Sequence, residues 1–201
     1  MNGGVMDPRV TELHCIMPMG NISSVLVNGI LSYERANTLP HESIAMAPVQ
    51  ERRDQKQVPG GLRLHQYANL YFHARNPMLY KRLGEAPTLA VLRVSTDVLR
   101  VRDVVITDCN AASDYARYLA PGQWQLLDFD DIYATDWRHP GNASRYYQHR
   151  SRKCAEVLVP HLVDSRFLRG AYVIDVQAEH RLRKVGFNLP IAVNPSFFFA
   201  K

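Results

Sequence analysis

The run Ala155-Glu156-Val157-Leu158-Val159 is apolar at every position but one, and its branched residues read as a strand. Alternation sends successive side chains to opposite faces. Ala155, Val157 and Val159 can then share one face while Glu156 and Leu158 share the other. A carboxylate on such a strand, facing a cleft, costs desolvation free energy unless something compensates it. This marks Glu156 as a candidate for chemistry. Its bland alternative is a strand-end carboxylate in a surface salt bridge with Arg152 or Lys153.

The elements around this strand predict an α+β chain. Glu12 to Met17 reads as a strand, and Gly20 to Gly29 as a short helix capped by Asn21 and stopped by Gly29. Leu31 to Pro40 reads as loop and His41 to Arg53 as helix. Val58-Pro59-Gly60-Gly61 is a turn by its composition, and Tyr67 to Phe72 a strand. Asn76-Pro77 opens a helix that Gly84 is expected to end. Strands are expected at Thr88–Val94, Asp103–Thr107 and Ala171–Val176, and helices at Ala111–Leu119, Asp128–Trp137, Ser144–Arg152 and Ala178–Val185. Two further short apolar runs follow, Ile191–Val193 and Phe197–Phe199. This order lacks regular βαβ alternation, and one domain over residues 1–201 is expected.

Several function classes are disfavoured. Cys15, Cys109 and Cys154 are far apart and odd in number, and the eight histidines show no ligand spacing, so no metal site is expected. No dinucleotide-fold or P-loop glycine pattern occurs. No apolar stretch approaches the roughly 18 residues needed to span a bilayer. Met1 to Pro8 lacks the basic and apolar regions of a leader, which predicts a cytoplasmic protein. The formal charge is +5, with arginines beside aromatics in Arg145-Tyr146-Tyr147-Gln148-His149-Arg150 and in Arg117-Tyr118. That mixture suits nucleic acid, or a solvated basic face.

Five segments in order carry a resemblance: Asn21-Ile22 with Leu26 and Gly29, Val49 to Arg53, His65 to Tyr80, Thr107 to Ser113, and Lys153 to Val159. Together they resemble the DarT family, bacterial toxins that transfer ADP-ribose from NAD to bases of single-stranded DNA. The resemblance implies an ADP-ribosyltransferase-like split sheet, two small sheets around a central NAD cleft. It implies that Arg53 and Glu156 are the essential pair and that the loop Pro140 to Arg152 contacts the substrate base. On the NAD side it points to His14, Cys15, Ile16, Asn21 and Gly29, with Arg53 on the pyrophosphate or positioning the base. Family members usually open the first strand with a histidine followed two places on by a hydroxyl residue. Here Cys15 and Met17 fall at those positions, with His14 one place early, so either the strand shifts or backbone groups seat the ribose.

Under that resemblance the chemistry is glycosyl transfer. A carboxylate beneath the ribose favours the positive charge that develops as nicotinamide leaves, and Glu156 can also accept a proton from the attacking base. Tyr71 and Tyr80 line the nicotinamide pocket or are simply core. Met78 is packing, and Cys109 and Cys154 are fillers. Asn110 reads a base edge or caps a helix. Arg145, Tyr146, Tyr147, Arg150, Arg152 and Lys153 form the expected DNA track. The acceptor base should be single-stranded or flipped, and the segments lean toward the guanine-modifying branch over thymine. A macrodomain antitoxin is the partner the resemblance implies. A non-catalytic nucleic-acid binder, an NAD glycohydrolase and an RNA-directed transferase stay open.

Overall fold

The computed structural model describes residues 7–200, so most of the segment read for leader character lies outside the described residues. A run buried on both faces forms β1 (Leu13–Pro18), after which α1 (Ile22–Asn28) leads to β2 (Ile30–Leu31) and the single-turn α2 (Tyr33–Ala36). Residues 41–46, expected to be helical, are irregular. The helix there is only α3 (Ala47–Asp54), because Pro48 fixes its first turn and Met46 before it is extended. β3 (Tyr67–Tyr71) is followed by α4 (Pro77–Tyr80), capped by Asn76 Oδ1 on the N–H groups of Met78 and Leu79. Gly84 does not end that helix. It lies inside a tight 3-10 stretch over Leu83–Thr88.

β4 (Leu89–Val94), β5 (Val105–Thr107) and β6 (Tyr118–Leu119) come next. The helix expected over Ala111–Leu119 is absent. Asn110 Oδ1 and Ser113 Oγ instead accept from the N–H groups of Ala112 and Tyr115, closing polar turns that compete with a helix. α5 (Phe129–Tyr133), α6 (Ala143–Arg152), β7 (Glu156–Pro160), β8 (Leu162–Val163), β9 (Leu168–Val173), α7 (Val176–Lys184) and β10 (Ile191–Val193) complete the order. α6 begins on Asn142, whose side chain accepts from Arg145 N–H. The anticipated loop over Leu31–Pro40 is partly regular, since Leu31 ends β2 against Leu162 and α2 follows with Ser32 as its cap.

The two small sheets expected are one eight-stranded sheet, ordered β10-β9-β4-β1-β3-β7-β5-β6, beside the small β2–β8 pair. All its pairings are antiparallel except β10–β9. The split nevertheless exists within it. β1 pairs with β4 at six positions, from Leu13 to Pro18, but with β3 only at His14–Tyr71. Beyond that point the two halves part, leaving Cys15 to Pro18 without a strand partner on the β3 side. Ala155, Val157 and Val159 enter the main core while Leu158 joins a smaller cluster with Val58, Leu64 and Tyr67, so the expected alternation in β7 holds. Gly29, at φ +77°, passes Val163 so closely that a Cβ would lie 2.3 Å from its carbonyl oxygen. No other residue turns α1 into β2 without moving that backbone.

Candidate active site

The parting of β1 from β3 opens a cavity of about 740 Å³, within the range of small-molecule sites. Cys15 to Pro18 form one wall. Tyr67, Asn69 and Tyr71, alternate residues of β3, form another. Tyr71 stands opposite Glu156 in the β3–β7 register, so the glutamate faces the same space.

Glu156 is 1% exposed and Arg53 6%. Arg53 Nη1 donates to both carboxylate oxygens, at 3.0 and 3.2 Å. A further donor reaches Glu156 Oε1 from the Ala111 N–H at 3.0 Å. Thr107 Oγ1 accepts from the Glu156 backbone N–H and donates to the Cys109 carbonyl. Isolated charges at such depth would be prohibitive; paired and hydrogen-bonded, they persist. Arg53 Nη2 is buried without a protein partner, and a buried unpaired donor is costly unless a ligand takes it. Burial, and after it the Glu156 charge, push the Tyr71 phenol well above its usual range, so it is a neutral donor. Burial likewise pushes the Cys15 and Cys154 thiols to about 12. Neither is a thiolate near neutrality, which fits the reading of Cys154 as a filler, while Cys15, expected on the NAD side, stands on the cavity wall.

An irregular strap over residues 39–46 covers the α1 side of the cavity. Asn21 holds it: its Nδ2 donates to the Glu42 carbonyl at 2.8 Å, and its Oδ1 accepts from the Glu42 N–H at 2.9 Å. The expected role of Asn21 as helix cap fails because both amide atoms are spent on the strap.

Ile16, Gly29 and Asn110 line the cavity as expected, and so does Met78, which also packs against the second core cluster. His14 does not. It sits where β1 and β3 still pair, shut off from the cavity, with its ring among His73, Tyr172 and Phe197 and Nε2 3.2 Å from Glu12 Oε1. Tyr80 also points away, edge-on to Trp137 and Phe199, because Pro77, Met78 and Lys81 hold the cavity face of α4.

The expected DNA track divides along the faces of α6. Tyr147, Arg150 and Ser151 line the cavity. Arg145 and Arg152 turn the other way and grip Asp131, Arg152 also reaching Asp128. His149 joins them through the Asp131 carbonyl. Burial works against ionisation of Asp131, but the hydrogen bonds from Arg145 and Arg152 and the nearby His149 hold its carboxyl at about 2. Lys153 is fully buried and donates to the Ile132 and Ala134 carbonyls at 2.7 and 2.8 Å, so it is a staple between α5 and α6 rather than a phosphate contact. Tyr146 is half-buried, its ring 5.1 Å from that of Tyr147.

Sequence reasoning missed the Ala111 N–H, Thr107, the Asn21–Glu42 clasp, Tyr67 and Asn69. Only the last two carried a signal, the period-two spacing with Tyr71. Among the described residues no cluster of potential metal ligands occurs, and no helix is long and apolar enough to cross a membrane.

The model of the family described as "DarT: ssDNA thymidine ADP-ribosyltransferase" matches residues 14–199. This chain belongs to the DarT family. It is 32% identical to a DNA ADP-ribosyl transferase-DNA ADP-ribosyl glycohydrolase fusion protein of Thermosipho africanus, over 96% of this chain and 51% of the relative. It therefore spans about half the length of that relative. A DNA ADP-ribosyl transferase of a Thermus species is 30% identical over 76% of each chain. The solved structure of Thermosipho africanus DarTG in complex with ADP-ribose superposes with a TM-score of 0.79 at 28% identity, over 94% of this chain and 51% of that one. Thermus DarT in complex with ADP-ribosylated single-stranded DNA shares the fold, with a TM-score of 0.82 at 23% identity and coverage of 96% and 98%. The mixed α+β fold with one large sheet is that of the family.

Proposed function

We propose that this chain transfers ADP-ribose from NAD to a base of single-stranded DNA. The observation that carries this reading is the buried Arg53–Glu156 pair on the wall of a cavity formed where the sheet parts. The cavity's mixed lining and the unpartnered Arg53 Nη2 fit a dinucleotide with anionic oxygens. NAD supplies the ADP-ribosyl group and a leaving group, nicotinamide, that departs with the electron pair of the broken N–C1 bond.

Glu156 is held by Arg53 and the Ala111 N–H, so its charge is placed before reaction and needs no reorganisation. It attracts the positive charge developing on the ribose more strongly in the transition state than in the ground state. As the acceptor ring nitrogen bonds to C1, Glu156 takes its proton. Arg53 steadies the carboxylate with Nη1 and offers Nη2 to the diphosphate. Cys15 to Pro18, unpaired on the β3 side, present backbone groups to the nicotinamide ribose where a histidine is usual. Tyr71 closes the wall beside Glu156.

Thymidine is the base this reading favours, supported by the description of the matched family; the sequence lean to guanine has no support there. A DNA ADP-ribosyl glycohydrolase is part of the Thermosipho relative, which supports an enzyme of that activity, an antitoxin, as partner. The test is incubation with NAD and single-stranded oligonucleotides, then digestion and mass analysis of the nucleosides. ADP-ribosylated thymidine is expected. ADP-ribosylated guanosine would move the base assignment, modification of RNA in preference to DNA would move the acceptor, and nicotinamide release indifferent to nucleic acid would leave a glycohydrolase. Bound but unmodified DNA would leave a binding protein.

A further inference from the structure

Two tyrosines on the cavity lining stand largely in water, Tyr147 meeting the neighbouring Tyr146 ring edge-on. Tyr115 is 90% exposed and Tyr147 64%, yet both line the cavity. A ring left in water contributes nothing to the core. Its backbone, by contrast, is fixed. The turn from Asn110 to Tyr115 is closed by the Asn110 and Ser113 side chains, Tyr118 donates to the Ala111 carbonyl at 2.7 Å, and Asn110 N–H donates to the Ser151 carbonyl of α6 at 3.0 Å. Tyr147 is fixed from behind, because Arg145 and Arg152 anchor α6 to Asp131. Two exposed rings on two rigid, mutually bonded supports therefore flank one opening.

Among the described residues, the cavity lining carries unpaired cations as well as one unpaired carboxylate, that of Glu42 on the strap. Arg52 is exposed and Arg150 half-buried, both line the cavity, and neither has a carboxylate within ion-pair distance among the described residues. The nearby Asp114 is already taken by Lys56 at 2.8 Å. Aromatic faces beside unpaired guanidinium groups are what a single strand needs: stacking for bases and contacts for phosphates.

We propose that Tyr115 and Tyr147 clamp bases of the acceptor strand at the cavity mouth, with Arg52 and Arg150 holding its phosphates. The inference rests on the transferase reading above and gives it an acceptor subsite. It also couples acceptor to chemistry, because the turn that ends at Tyr115 delivers the Ala111 N–H to Glu156. A base stacked on Tyr115 stiffens the same turn that orients the carboxylate.

The test uses a short oligothymidine carrying one 2-aminopurine, whose fluorescence falls when it stacks. Tyr115→Ala and Tyr115→Leu are expected to lose most of the quenching and to bind about tenfold more weakly, whereas Tyr115→Phe keeps both. Arg52→Ala is expected to lower the salt slope of binding by about one unit. The side chain is solvent-exposed, so these variants should fold, and unchanged thermal melting checks it. Quenching and affinity in Tyr115→Ala equal to wild type overturn the clamp, as does Leu performing like Phe. If the wild-type chain quenches the probe but leaves DNA unmodified with NAD, the transferase reading fails and the clamp stands. If it modifies DNA and Tyr115→Ala matches it in KM for DNA, the clamp fails and the transferase stands.

Discussion

Arg53 Nη1 bridges both carboxylate oxygens of Glu156 across 103 residues of sequence, while its Nη2 is buried with no protein partner. One guanidinium is thus half engaged by the Glu156 carboxylate and half left without a protein partner. That division explains how a chain can hold two charges at this depth. Each partner compensates the other, and the remaining donor becomes satisfied when an anionic ligand arrives.

Removing either partner should therefore cost stability as well as activity. Glu156→Ala is expected to abolish transfer while the chain remains folded, with stability lower by about 3 kcal/mol, since it strands a buried cation. The double variant Arg53→Met with Glu156→Leu should recover most of that loss and stay inactive. Urea unfolding and transfer assays on the three proteins check this. A double variant no more stable than Glu156→Ala would show that the pair is not what makes the single change costly.

Asn21 ties the strap over the cavity with two hydrogen bonds to Glu42. Asn21→Ala should free residues 39–46, raise KM for NAD by about tenfold, and change kcat much less. Limited proteolysis is expected to cut the variant within the strap faster than wild type. Equal cleavage with an equal KM would remove the clasp from substrate binding.

How far this was legible in the sequence depends on whether local pattern or long-range pairing decided the outcome. The strand around Glu156, the Asn76-Pro77 helix start and α6 were readable because alternation and caps are local. The helix expected over Ala111–Leu119 was not, because side chains of Asn110 and Ser113 captured the backbone first. Arg53 and Glu156 were named as a pair through the family resemblance, since nothing local joins residues so distant. The residues that the structure turns away from the cavity owe it to geometry that a linear pattern does not display. Arg145, Arg152 and Lys153 look like free cations in a basic run, but helical geometry turns them toward Asp131 and the end of α5. His14 looked like a ligand, but the register places it at the closed end of the split.

The two faces of α6 give opposite predictions for neighbouring arginines. Arg150→Ala should weaken binding to single-stranded DNA and lower the salt slope by about one unit, because that cation is unpaired at the cavity. Arg145→Ala and Arg152→Ala should leave the slope unchanged and instead lower the melting temperature, since each releases Asp131. Salt titrations of binding beside thermal melts separate the two outcomes. Equal slope changes at all three positions would show that the strand follows the Asp131 face.

Lys153 provides a pH signature of the fold. Burial, reinforced by the Arg75 charge and opposed by that of Asp131, lowers its ammonium to about 7 from its usual 10.5. A lysine whose folded value is depressed binds fewer protons in the native state than in the unfolded chain between those two values. Stability contributed by this group therefore rises with pH from about 7 toward 10.5 and is at its minimum below 7. The slope is at most about 1.4 kcal/mol per pH unit. Lys153→Met cannot titrate, so wild type should gain on the variant by roughly 2 kcal/mol between pH 7 and pH 9, read from urea unfolding at each pH. The variant also leaves the Ile132 and Ala134 carbonyls without their donor, which lowers its stability at every pH and does not alter the difference. A wild-type minus variant difference that is flat across this window would mean the ammonium keeps its proton inside the fold, held by those two carbonyls.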